Sequence, residues 1–314
     1  MRALLIVNPR ASSTTRLRRD VIAHALASQA DLEVVETRYR GHAAALAAAA
    51  VADGHGVLFT LGGDGTVNET VNGIVRAPAG PAGGAANGQL PALAPLPGGN
   101  ANVFTRALGL PADPVDATGQ IIDALRTGRH RAIGLGLAGD RYFIVNAGLG
   151  FDAEVVRAIE GLRARGRVAT PTLYLRTAVR QFYCGTDRRR PALTLERTGQ
   201  PATDVFLGIV SNTAPWTYLG RRPVNPSPAA DFDTGLDLFA LRHAGTAGML
   251  NALRQMLAAR SQPPAGRHVL SLHDEPAFTL RSRRPMALQV DGEYIGEHEA
   301  VQFRAVPHAL RVIV

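Results

Sequence analysis

The chain has 314 residues, 46% of them hydrophobic, a net charge of +8 and one cysteine, Cys184; it is long enough for one large domain or two ordinary ones. All 34 basic residues are arginine, which excludes a Walker-type phosphate loop, a protein-kinase lysine and any Schiff-base enzyme. A single cysteine excludes disulfides and cysteine-rich zinc sites, and no apolar run approaches the roughly 18 residues needed to cross a bilayer. The basic balance points to an anionic partner, nucleic acid or an acidic membrane surface, although a codon bias toward arginine and alanine also accounts for part of it. The N-terminus begins directly as a strand, without a signal-peptide pattern, so a cytoplasmic protein is expected.

The first half alternates strand and helix. Residues 2–7 read as an apolar strand ending at Asn8-Pro9, and 14–29 as a helix with Leu17, Val21, Ile22 and Leu26 on one face. A strand over 32–37 and a helix from Gly41 to Asp53 lead to the apolar run Val57, Leu58, Phe59 and the turn Gly62, Gly63, Asp64, Gly65. The next helix places Val67, Val71, Ile74 and Val75 on one face, and capping-box spacing of Thr66 and Glu69 sets its start at Thr66. Strand, glycine turn and helix end converge on a point suited to phosphate. Asp64 repels a naked phosphate, so a metal ion, a ribose hydroxyl or a fixed water is expected between them. Such alternation predicts a parallel sheet whose ligands sit at the carboxyl ends of the strands, where Asn8, Thr37 and the glycine turn fall. A flexible loop over 77–91 precedes a strand from Leu93 to Leu96. Pro97, Gly98, Gly99, Asn100, Ala101 and Asn102 then open a helix carrying Val103, Phe104 and Leu108, stopped at Gly109. Two such turns can hold a polyphosphate from both sides; viewed alone, either is equally a structural connection.

After a helix over 114–127 the pattern changes. Strand-like pieces run from Arg131 to Leu137, Tyr142 to Ala147, Leu193 to Glu196, Val205 to Asn212, Leu236 to Leu241, Ala277 to Arg281 and Met286 to Val290, which suits an antiparallel second domain. Helical segments are expected over 152–183 and 246–260. Residues 1–128, with 305–314 returning to them, form the first expected domain and 129–304 the second. Between 155 and 183, apolar Val155, Val156, Ile159 and Leu162 precede Arg163, Arg165 and Arg167, followed by Leu173, Tyr174, Leu175, Val179, Phe182 and Tyr183. With Arg188 to Arg190, this mixture fits an interfacial membrane contact, or a core-packed helix pair with solvated arginines. No histidine pair has metal-ligand spacing with a supporting carboxylate.

Both glycine motifs, taken with Asn146-Ala-Gly-Leu-Gly-Phe-Asp152 and Val290-Asp-Gly-Glu293, resemble the diacylglycerol kinase catalytic family, which includes bacterial lipid kinases and sphingosine and ceramide kinases. Thr37 with Gly41-His42-Ala43, and Ser211-Asn212 with the stretch Asp231 to Leu238, extend the likeness over nearly the whole chain. The resemblance implies an N-terminal three-layer α/β nucleotide-binding domain and a C-terminal antiparallel β-sandwich, with the active site in the cleft between them. It implies ATP along Asn8, Pro9, Thr37, Gly62, Gly63, Asp64, Gly65, Thr66, Val67, Asn68, Gly99 and Asn100. It also implies Glu293 as the base for a lipid hydroxyl with Asp291 in support, and Mg2+ bridging the phosphates with Asp64 acting through metal or water. Asp291-Gly292 is equally a hairpin turn. A metal loop would map to Asp231, Asp233 and Leu236. Peripheral association with an anionic membrane, no nucleic-acid partner and room for a homodimer complete the expectation. This chain departs from the family pattern at Asn100, where threonine is usual, and at Val103, Gly134 and Thr234, where aspartate is usual. Loss of those acids would weaken a metal and water network, so a nucleotide- or lipid-binding pseudokinase is the rival reading and an NAD kinase a more distant one.

Overall fold

The computed structural model describes residues 1–11, 14–77, 90–167, 170–185, 191–220, 222–258 and 262–314. Most of the loop expected over 77–91, Arg188 to Arg190, and the end of the helix expected over 246–260 lie outside them. The chain forms two compact units, Met1–Ile133 with His308–Val314, and Gly134–Pro307. No helix among the described residues is long and apolar enough to cross a membrane.

In the first unit β1 (Arg2–Val7), α1 (Arg16–Ala27), β2 (Asp31–Glu36), α2 (His42–Ala52), β3 (Val57–Gly62), α3 (Asp64–Val75), β4 (Ala92–Pro97), α4 (Val103–Ala107) and α5 (Pro114–Thr127) follow one another. The strands pair in parallel in the order β2-β1-β3-β4, and Val312 pairs in parallel beside Leu93 of β4. Strand β3 is buried along its whole length, as a central parallel strand covered on both faces must be. Helix α2 packs on α3 at Gly73, where a Cβ would meet the Ala44 carbonyl and come within 2.7 Å of the Ala47 Cβ. The alanine run is thus a close-packed helix face.

Two expectations here need correction. Ile22 and Leu26 are buried in α1, but Leu17 and Val21 are 76% and 47% exposed; the rows 17/21 and 22/26 are one residue out of phase, about 100° around the helix. Helix α3 begins at Asp64, with Gly63 as its cap and no side-chain capping bond. The Glu69 carboxylate instead accepts from the backbone N–H groups of Gly41 (2.7 Å) and Ala43 (3.2 Å), at the start of α2.

The remaining elements are β5 (Arg131–Ala138), β6 (Arg141–Phe143), β7 (Asn146–Leu149), α6 (Phe151–Ala164), α7 (Pro171–Arg180), β8 (Leu193–Glu196), β9 (Thr203–Val205), β10 (Leu207–Ser211), β11 (Thr217–Leu219), β12 (Arg222–Val224), β13 (Leu236–Leu241), α8 (Thr246–Met256), β14 (Val269–Glu275), β15 (Ala277–Val290) and β16 (Glu293–Val312). A π-helical turn, Gln181–Gly185, extends α7. In the second unit β14-β13-β10-β7-β15-β16 are antiparallel neighbours, and β8 also pairs with β15. Leu236, Leu238 and Ala240 of β13 enter one core with Leu149, Leu280 and Phe303, whereas Phe239 and Leu241 enter another with Phe206 and Met256. Alternate residues of one strand therefore fill both faces of the sheet, which is why β13 reads as an almost unbroken apolar run. The pieces expected at 277–281 and 286–290 are one strand with an irregularity between Arg281 and Met286, and the piece expected over 142–147 is divided between β6 and β7. The chain thus adopts an α/β half followed by an antiparallel β-rich half.

Candidate active site

The carboxyl ends of β3 and β4 carry the two glycine turns, and their backbones touch. The Gly98 N–H donates to the Gly62 carbonyl at 2.7 Å. A Cβ on Gly98 would stand 2.8 Å from the Gly62 nitrogen, and one on Gly99 would stand 2.7 Å from the Gly63 Cα. Only glycine permits this approach. The Asn8 side chain, at the end of β1, donates from Nδ2 to Thr66 Oγ1 at 3.0 Å, and its Oδ1 accepts from Arg10 N–H. Thr37 is tied to the same sheet edge by its N–H, which donates to the Val7 carbonyl. Beside it a cavity of about 390 Å³ is lined by Val7, Pro9, Thr14, Thr15, Arg16, Arg19 and Glu36.

Asp64 joins the two turns. Its Oδ2 accepts from Val103 N–H and its Oδ1 from Phe104 N–H, both at 3.0 Å, so the carboxylate caps the first turn of α4. Burial raises its pKa above the ordinary carboxylate value, while the Phe104 and Val103 amides pull it back. These bonds give Asp64 a structural role that the motif alone did not reveal; Val103 gives it a backbone N–H while its own side chain is buried in the core. Asn102, in the left-handed region at φ 47°, completes the second turn: its Oδ1 accepts from Gly99 N–H and its Nδ2 donates to the Gly99 carbonyl. Sequence reasoning placed Asn102 at the end of this turn but gave it no role, although asparagine just before a short helix is a signal for that conformation. Val67 and Asn68 are buried within α3, where Asn68 accepts from Asn72; Gly65 and Gly63 are partly exposed, and Asn100 is exposed at the turn tip.

In the second unit Asp291 and Gly292 have φ of 48° and 78°, the geometry a two-residue hairpin turn requires. The Asp291 carboxylate accepts from the N–H groups of Ile144 (2.8 Å), Val145 (2.9 Å) and Asn146 (3.0 Å). It anchors the turn. Glu293, next along, is half-buried, with Oε2 3.9 Å from the Arg141 guanidinium. Behind the turn, Gln289 Nε2 donates to Asn146 Oδ1 (2.9 Å) and Asp152 Oδ2 (2.8 Å). Burial pushes the Asp152 carboxyl up to about 6, against which the Gln289 bond acts.

The metal expectation has a narrower footing. Among the described residues no three His, Cys, Asp or Glu side chains converge on one point. Asp231 and Asp233 lie in an exposed turn, where Asp231 Oδ1 accepts from Asp233 N–H, and the Leu236 side chain is fully buried. A cation there would rest on two carboxylates, backbone oxygens and water, a set that magnesium tolerates. Gly134 has no room for the family's aspartate: a Cβ would stand 2.7 Å from the Phe232 carbonyl.

Comparison with known proteins bears out the resemblance. Residues 2–136 match the model of the diacylglycerol kinase catalytic domain. The chain is 32% identical over 145 residues to the diacylglycerol kinase of Staphylococcus saprophyticus, a match spanning 46% of this chain and 43% of that protein. It is 27% identical over 262 residues to the diacylglycerol kinase of Staphylococcus aureus, spanning 82% of this chain and 74% of that protein. The crystal structure of a diacylglycerol kinase from Bacillus anthracis superposes with a TM-score of 0.70 at 19% identity, covering 99% of this chain and 96% of that one. At that identity the superposition establishes the fold.

Two outcomes are expected. Asp64→Ala leaves the Val103 and Phe104 amides without their acceptor and should lower the unfolding free energy by about 2 kcal/mol in urea denaturation. Asp152 titrates near 6 when folded, against an ordinary 3.8, so between those values the folded chain keeps a proton that the unfolded chain has released. Its contribution to stability is therefore lost as pH rises through that window. The neutral Asp152→Asn variant escapes this loss, and its Tm relative to the unaltered protein should rise from about pH 4 to about pH 7; a constant difference would refute the assignment.

Proposed function

We propose that this chain, whose residues 2–136 match a diacylglycerol kinase catalytic domain, is a lipid kinase that transfers the γ-phosphate of ATP to a hydroxyl of diacylglycerol or a related lipid. The observation that carries the reading is the pair of glycine turns in backbone contact at the carboxyl ends of β3 and β4. Phosphoryl transfer needs little covalent chemistry from a protein and much positioning, and a side-chain-free cradle at helix N-termini supplies it to a polyphosphate. Asn8 and Thr66 fix the adjoining edge, and the cavity lined by Pro9, Thr15, Arg16 and Glu36 takes the rest of the nucleotide. Magnesium bound with ATP would neutralise phosphate charge. The lipid hydroxyl loses its proton to Glu293, a carboxylate carried on the turn that Asp291 pins with three amide bonds.

Substrate delivery requires a membrane surface, and α7 has the face for one. Leu175, Val179 and Tyr183 are 58%, 49% and 49% exposed and fall at i, i+4 and i+8, beside a second exposed row of Thr172, Arg176 and Arg180 at the same spacing. Val155, Val156, Ile159 and Phe182, grouped with them by sequence, are buried. An apolar row flanked by arginines suits a shallow interfacial contact with anionic lipid.

Radiolabelled ATP incubated with mixed micelles of candidate lipids tests the activity. Label should enter a lipid, and Glu293→Gln should lower kcat about 10²- to 10⁴-fold. Nucleotide binding without lipid labelling under any metal, or transfer to NAD instead, would sink the kinase reading. In sedimentation with phosphatidylglycerol vesicles, Leu175→Asp with Val179→Asp should abolish binding while sparing labelling of a short-chain soluble diacylglycerol; retained binding would remove α7 from the contact.

A further inference from the structure

The geometry assigns Gln289 as a positioning residue that, held between Asp152 and Asn146, sets the turn carrying Glu293. This inference rests on the proposed role of Glu293. Asp291 holds its end of the turn through its carboxylate, and its own N–H donates to the Asn146 carbonyl at 2.8 Å. The next amide, Gly292 N–H, donates to Gln289 Oε1 at 2.8 Å. That bond is the step before Glu293 in the chain.

Gln289 has one amide group with two hydrogens and one oxygen, and each is used. The hydrogens go to Asn146 Oδ1 and Asp152 Oδ2, and the oxygen receives Gly292 N–H. The two acceptors fix which end of the amide faces inward, so the oxygen has one direction left, toward the turn. Gln289 is 1% exposed and Asp152 9%, so water does not compete freely for these bonds. Gly148, opposite Gln289 across the β7–β15 pair, provides the space: a Cβ there would stand 2.7 Å from Asp152 Oδ2 and 3.4 Å from Gln289 Nε2. Asn146 is held in turn by its Nδ2, which donates to the Trp216 carbonyl at 3.2 Å. A buried polar set tied together by these bonds specifies one arrangement.

The position of a base matters steeply, since a misplacement of about 1 Å can cost about 100-fold in rate. Gln289→Glu keeps shape but replaces both donated hydrogens by an acceptor facing Asp152. It should lower kcat by about 10- to 100-fold, with KM for ATP unchanged. Asp152→Asn alone still offers an oxygen to Gln289 and should stay within about threefold of the unaltered enzyme. When the two substitutions are combined, the new amide at position 152 donates to the new carboxylate at position 289. One donor–acceptor pair returns, and kcat should recover several-fold over Gln289→Glu. A role in stability alone would move Tm without this split and rescue. Gln289→Glu at the unaltered rate, or a double variant no faster than Gln289→Glu, overturns the inference. If Gln289→Glu does not fold, Gln289→Leu carries the same expected loss of kcat at constant KM for ATP, and an unaltered rate there overturns it equally. Full activity in Glu293→Gln would instead overturn the base assignment, which separates the two failures.

Discussion

The first unit depends on a backbone-to-backbone approach that no side chain can enter. Where Gly98 meets Gly62 and Gly99 meets Gly63, the turns after two neighbouring parallel strands are pressed together, and the start of α3 and the lead into α4 are set by that contact. Asp64 then crosses from one turn to the other and caps α4 through two amides. A helix of five residues has little cooperative stability of its own, so a charged cap from outside is a substantial part of what holds it. The glycine turns are therefore less a loop over a ligand than a wall made of main chain.

Much of this was legible in the residues. The alternation of apolar runs with helical periodicity gave the parallel sheet, because buried parallel strands must be apolar on both faces. Asn8, Thr37 and the glycine turns were assigned to one sheet edge by topology alone. The partners of individual polar side chains were not legible. Glu69 has capping-box spacing from Thr66, yet it caps a different helix, since spacing along one helix says nothing about a neighbour packed against it. Asp64 read as an awkward acid near phosphate because its hydrogen-bond donors, the Val103 and Phe104 amides, are 39 and 40 residues away in sequence. The same limit hid Gln289, a polar residue inside the strand expected from Met286 to Val290, whose side-chain partners Asn146 and Asp152 are 143 and 137 residues away.

The departures from the family pattern also acquire local causes. Gly134 is packed against the Phe232 carbonyl, Thr234 donates its hydroxyl to the Asp231 carbonyl, and Val103 buries its side chain while its N–H donates to Asp64. Each substitution is accommodated by the backbone around it. What is missing is acidic charge, and the chain carries a formal +8 with arginine as its sole strong base. Arginine holds anions through planar, bidentate geometry and keeps its charge at any working pH, so this positive balance does not titrate away.

One consequence of strand β16 concerns synthesis. Its first residue, Glu293, follows the hairpin of the second unit, and Val312 near its far end pairs with Leu93 of the first. The parallel sheet that begins at residue 2 thus waits for a strand made more than two hundred positions later, a contact of very long sequence separation. While the chain is being made, β4 presents an open edge, the kind of surface that invites mispairing during slow assembly. The first unit can be translated first but is completed last, so its folding is coupled in time to that of the second.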